Sequence, residues 1–234
     1  MMDKITIHAV EEFLHAGYDL NAEAILLCES DGSEEEVANE IERIHAIMKA
    51  SGATGISMSR NEAERLSFWA GRKAAFPAAG RVSPDYYCMD GTIPRKHLAK
   101  VLSGIETLSE AYGLRCMNVF HAGDGNLHPL ILYDANTPGE LEKTEEFGGK
   151  ILEMCIQAGG TITGEHGVGM EKINQMCSQF KSNELEIFHG VKAAFDPQSL
   201  LNPGKAVPTL HRCAELGAMH VHSGSEKFPE LPRF

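Results

Sequence analysis

Two glycine-rich segments hold the residues whose types and spacing could do chemistry. Residues 119–129 read VFHAGDGNLHP, with His121 and His128 flanking Gly123-Asp124-Gly125-Asn126. Asp-Gly and Gly-Asn dipeptides between apolar runs mark a β-hairpin. With a loop over 122–127, the spacing predicts that His121 and His128 stand directly opposite each other. Side chains so placed share a face, with Cβ atoms about 4.5–5.5 Å apart. Two imidazoles in that arrangement can close on one metal ion; an ordinary hydrogen-bonded histidine pair is the other reading.

The second segment, residues 161–169, reads TITGEHGVG and sets an acid beside an imidazole. In a regular strand Glu165 and His166 would point to opposite faces. Gly164, Gly167 and Gly169 permit an irregular backbone that presents both to one cleft. Glu165 then completes a His/His/Glu set with open coordination positions, the pattern of a catalytic metal site. His166 is left free as a general base, since an imidazole titrates near neutrality. A glycine-rich turn with an exposed ion pair is the alternative. Arg72, beside the aromatic pair Phe68-Trp69, could clamp a carboxylate bidentately, or could sit on a solvated helix face. The alternation Met219-His220-Val221-His222 is read as incidental histidines next to a polar tail.

The elements that must position these residues follow from periodicity. Apolar spacing predicts helices over 5–15, 33–50, 61–75, 95–112, 141–158 and 183–195. Ser33 and Glu36 fit a capping box for the second of these. Strands are expected over 22–28, 54–59, 86–93, 114–121 and 127–133, with a sixth opening the segment 161–169. Pro77, Gly80 and Pro84 are expected to form a loop. This order predicts an α+β fold: a mainly antiparallel sheet with helices packed on one face.

Composition bounds the rest. The 234 residues carry a formal net charge of -12, with 43% hydrophobic and 23% charged residues. A globular chain of this length buries a sizeable core. No basic stripe marks a nucleic-acid footprint. Gly123-x-Gly125 lacks a third glycine where His128 stands, and no phosphate-loop signature occurs. The six cysteines show no C-x-x-C pair and are expected to be reduced thiols. No apolar run reaches the roughly 18 residues of a membrane span, and since Met1-Met2-Asp3-Lys4 opens no apolar h-region, no signal peptide is expected.

The wording of these motifs carries a resemblance. HAGDGNLHP (121–129), TGEHGVG (163–169) and FDPQSLLNPGKAVP (195–208) resemble the C-terminal domain of FAD-linked oxidases of the vanillyl-alcohol-oxidase type. FWAGRKAAFPAAGRVSPDYYCMDGTIPR (68–95) and GEHGVGMEKINQMC (164–177) are similar, within that family, to the flavin subunits of bacterial glycolate oxidases. The resemblance implies a ferredoxin-like substrate domain that caps a flavin. It implies His121, His128 and Glu165 as ligands of a divalent metal (zinc, manganese or iron), His166 as base and Arg72 as a contact of the substrate carboxylate. Relatives acting on larger hydroxy acids carry an Asn just after the second metal histidine. Here Pro129-Leu130 follows, which suits a small substrate.

What the resemblance implies for the whole protein is oxidation of glycolate to glyoxylate. D-lactate or another D-2-hydroxy acid is the alternative substrate. Members of the family carry an FAD-binding domain ahead of this region, and the sequence is expected to begin inside the substrate domain. The chain alone is therefore expected to be inactive. An iron–sulfur subunit is the expected partner. The expected location is cytoplasmic, with peripheral attachment at the inner membrane through partner subunits. The expected division is a substrate domain over 1–178, a helical segment over 179–222 that would return to the FAD domain, and a loose tail over 223–234. A non-catalytic docking module and a metal-dependent hydrolase are the rival classes.

Overall fold

Strand β5 (Pro129–Tyr133) is the axis of the molecule, and its sequence shows why. In Leu130, Ile131 and Leu132 every side chain is apolar, and all three are buried. A strand that reads as a continuous apolar run is covered on both faces. β5 pairs antiparallel with β3 (Asp85–Cys88) on one side and β4 (Cys116–Asn118) on the other. A two-stranded ribbon of β1 (Met2–Asp3) and β2 (Ala24–Ile25) adds to β4 through a bridge from Met2 to Val119. The structure, a computed structural model, describes residues 1–208. The histidine alternation at 219–222, the tail over 223–234 and the end of the 179–222 segment lie outside the described residues.

Alternate residues of the sheet enter two separate cores. Ile131 and Cys116 point toward α4 (Leu98–Tyr112) and α5 (Glu140–Gln157), among Val101, Ile105, Phe147 and Ile151. Leu130, Leu132 and Met117 point the other way, toward α1 (Lys4–Leu14) and α3 (Glu62–Val82), among Ile7, Val10, Ala75 and Ala79. The α+β class and the antiparallel sheet stand as expected. The packing of helices on one face alone does not, because α1 and α3 cover the second face. Each fully buried Leu or Ile stabilises the fold by about 1.5–3 kcal/mol.

Several boundaries differ from the periodicity. α3 runs through Pro77 to Val82 where a loop is expected. Proline inside a helix costs about 3 kcal/mol. Here Ala74, Ala75, Ala78 and Ala79 are all buried, and packing across the proline outweighs that cost. The expected strand over 54–59 is absent, and 22–28 shrinks to Ala24–Ile25. Beyond its bridge to Thr92, Thr161 leads into a loop instead of a strand. The helix α2 (Glu34–Ala50) has the Ser33–Glu36 capping box and buries none of its residues. α6 (Ile173–Gln179) is a helix the periodicity did not announce; α7 (Ser182–Phe195) is where it was expected. On α7, Ile187, Val191 and Phe195 form an exposed apolar stripe. Cys28, Cys88, Cys116 and Cys155 are free thiols as expected, whereas Cys177 is disulfide-bonded.

Candidate active site

The register of the β4–β5 hairpin decides where its histidines stand. Asn118 pairs with Pro129, and the ladder continues to a bridge between His121 and Asn126. The loop is therefore 122–125, tighter than 122–127. The Gly125 amide donates to the His121 carbonyl at 3.0 Å, with Gly125 at φ +74. A Cβ at Gly125 would strike the Ile93 carbonyl, so only glycine closes this turn. His128 lies two positions beyond the residue opposite His121, diagonal to it and not directly across. The shift is even, so both imidazoles still share the α1/α3 face of the sheet. Their ring centroids are 5.5 Å apart at 82°.

The loop after Thr161 brings the acid and the third imidazole to the same place. Glu165 Oε1 lies 2.8 Å from His128 Nε2 and 3.9 Å from His166 Nε2. The His166 ring stacks on that of His128, with centroids 5.0 Å apart and planes 19° from parallel. Donor atoms of Asp90, His128, Glu165 and His166 all lie within 4.8 Å of one another, a spacing one cation can bridge. His121 adjoins that group through its contact with His128 but is not one of the four. His128 is buried, and its Nδ1 has no hydrogen-bond partner. An unpartnered buried imidazole nitrogen is costly unless something takes its lone pair or proton, and it fits a metal ligand. Burial pushes the His128 pKa down and so favours the neutral ligand form, while the Glu165 carboxylate opposes that shift.

Helix α3 supplies the opposite wall. Trp69, Arg72, Lys73 and Phe76 recur at helical spacing along one cleft of about 870 Å³, and Phe76 meets the His128 ring edge-on. Arg72, His121, His128, Glu165 and His166 all line that cleft. All five are residues whose types and spacing point to chemistry, and the fold brings them to one opening. Burial lowers the pKa of the half-buried Arg72, with Glu165 opposing the shift. Lys73 and Arg95 add two further cationic side chains. An anionic substrate therefore has local positive charge to meet, in a chain whose net charge is negative.

Comparison with known proteins decides what kind of domain this is. The family model described as "FAD linked oxidases, C-terminal domain" matches residues 1–206. The chain belongs to this family. It is 65% identical to "Glycolate oxidase subunit GlcD" of Escherichia coli (strain K12), over 100% of this chain and 47% of that protein. It is 36% identical to the protein of the same name from Bacillus subtilis (strain 168), over 87% of this chain and 43% of that one. To the mitochondrial "D-lactate dehydrogenase [cytochrome]" of Arabidopsis thaliana it is 26% identical, over 91% of this chain and 37% of that protein. The chain spans less than half the length of these curated relatives. Among solved structures, 4-ethylphenol oxidase from Gulosibacter chungangensis matches 77% of this chain and 38% of its own, with a TM-score of 0.53 and 17% identity, a likeness of fold.

Sequence reasoning missed Asp90 and Lys172, the buried ion pair behind the Glu165–His166 loop (3.0 Å). Asp90 sits in CMDG, a single charge between apolar neighbours and a glycine, whereas Lys172 follows Glu171 in MEKI and carries no local sign of its burial. Among the described residues, no helix is long and apolar enough to cross a membrane.

Proposed function

We propose that this chain is the substrate-binding half of a flavin-dependent 2-hydroxy-acid oxidoreductase that takes glycolate to glyoxylate in the whole protein. The observation that carries the reading is the convergence of Arg72, Glu165 and three imidazoles on one cleft. The 65% identity to a glycolate oxidase subunit supports glycolate over D-lactate. Bound flavin supplies the two-electron acceptor. A divalent cation held by His121, His128 and Glu165 would supply Lewis acidity toward the substrate oxygens; zinc, manganese and iron all suit such a donor set.

The chain's own residues do the rest. Arg72 pairs with the substrate carboxylate through two parallel hydrogen bonds. His166 takes the proton of the hydroxyl as the carbon gives up its hydride, so two protons and two electrons leave the substrate in all, one proton to the imidazole and the rest as the hydride. Trp69 and Phe76 supply an apolar wall to the cleft that keeps water from the reacting carbon. By itself the chain binds without turnover; dye reduction by the purified chain with no added flavoprotein would count against this. The partner we propose is an iron–sulfur subunit, with a cytoplasmic location and peripheral attachment at the inner membrane.

The tight grouping of His128, Glu165 and His166 favours a second assignment, in which His166 is a ligand and His121 the base. Metal stoichiometry in the complete flavoprotein separates the two. In the first assignment His121→Ala empties the site. His166→Ala keeps the metal and lowers turnover by about 10²–10⁴. In the second the two variants exchange behaviour. A complete flavoprotein that holds no divalent metal overturns both.

A further inference from the structure

Behind the Glu165–His166 loop lies a carboxylate that the mechanism above does not use. Asp90 follows the end of β3 and is fully buried. Its Oδ2 accepts from Thr163 Oγ1 at 2.7 Å, from the Gly164 amide at 3.1 Å and from the His166 amide at 2.8 Å. The Glu165 amide is shared between its two oxygens at 3.2 Å each. Lys172 Nζ, itself buried, closes the set at 3.0 Å and also reaches Thr163 Oγ1 at 3.3 Å. The Asp90 carbonyl takes a further bond from the Gly164 amide at 2.8 Å. The peptide planes of three consecutive residues are thus held by one side chain, and Glu165 and His166 branch from those planes.

We propose that Asp90, locked by Lys172, is a positioning residue. It aims the Glu165 carboxylate at His128 and the His166 imidazole into the cleft. This deepens the function proposed above and rests on that reading for what the two aimed side chains do. Asp90 lies close enough to His128, Glu165 and His166 to be mistaken for a fourth ligand. Its hydrogen bonds argue otherwise: Oδ2 already faces five donors, and a cation there would have to displace the Lys172 ammonium. Outer partners of this kind fix ligand orientation, and their loss typically lowers metal affinity about 10–100-fold.

The test uses the 234-residue chain, with Asp90→Asn and with the pair Asp90→Asn/Lys172→Met. The double variant removes both buried charges together, so neither is left alone if the single variant fails to fold. Amide hydrogen exchange is read residue by residue, beside a calorimetric titration with zinc. The expected result is faster exchange, by about 10–100-fold, at Gly164, Glu165 and His166. Leu130 and Ile131 of β5 should keep their protection, and zinc affinity should fall by a similar factor. Unchanged protection at the three loop amides overturns the proposal. So does protection lost equally in β5, which would make Asp90 a plain core residue. Weaker zinc binding with undisturbed loop amides would make Asp90 a ligand and also overturn it. If zinc does not bind the unsubstituted chain, the cation assignment rests on the metal content of the complete flavoprotein, and the exchange pattern alone decides the role of Asp90.

Discussion

His128 stands diagonal to His121 across the β4–β5 hairpin, because His121 pairs with Asn126. The diagonal opens room beside His128, and the His166 ring stacks there. Had the two histidines faced each other directly, His166 would compete with His121 for the same side of His128. The tight four-residue turn therefore decides which imidazoles can reach Glu165.

Arg72→Lys keeps the charge and loses the planar fork. In the complete flavoprotein the KM for glycolate should rise about 10–100-fold, the worth of a charge-assisted hydrogen bond, with kcat much less affected. Steady-state kinetics checks it; an unchanged KM removes Arg72 from the carboxylate site.

Gly164 has no room for a side chain. A Cβ there would lie 2.5 Å from both Asn126 Oδ1 and Thr92 Oγ1. Gly164→Ala should cost about 1–3 kcal/mol in urea unfolding, as overpacked sites do. Gly123→Ala, with no atom within 4 Å of its Cβ, is the control and should be close to neutral.

Asp196 ties the end of α7 to the chain beyond it. Its carboxylate accepts from the Leu200 and Leu201 amides at 2.8 and 2.9 Å and from Lys192 at 3.0 Å. Burial alone would raise its pKa; these donors outweigh burial and hold it below the usual 3.8. A depressed folded value means the stabilisation is whole above pH 3.8 and lost as the pH falls below it. The Leu200 and Leu201 amide resonances should move in that acid window and should stay still in Asp196→Asn.

The stripe Ile187, Val191 and Phe195 is 65%, 55% and 84% exposed. A contiguous apolar patch promotes association. Light scattering should show the chain's apparent mass rising with concentration, and Val191→Ser/Phe195→Ser should suppress the rise.

What the sequence disclosed was local. The hairpin, the capping box at Ser33 and the glycine-bracketed Glu165-His166 pair are short-range patterns, and each is where it was expected. The register was not readable, since Gly125 and the Ile93 carbonyl together set the turn length. The helix through Pro77 was hidden because burial of Ala78 and Ala79 against α1 overrides a local breaker. Two-sided burial of β5 is written in Leu130-Ile131-Leu132, a run with no polar face. Asp90 and Lys172 are 82 positions apart, so no pattern of spacing joins them.

That separation also orders events during synthesis. At roughly 5–20 residues per second, the hairpin with His121 and His128 emerges a few seconds before Lys172. Until then Asp90 has no ammonium to meet, and the Glu165 loop has no anchored carboxylate to fold around. The two halves of the cluster are born apart.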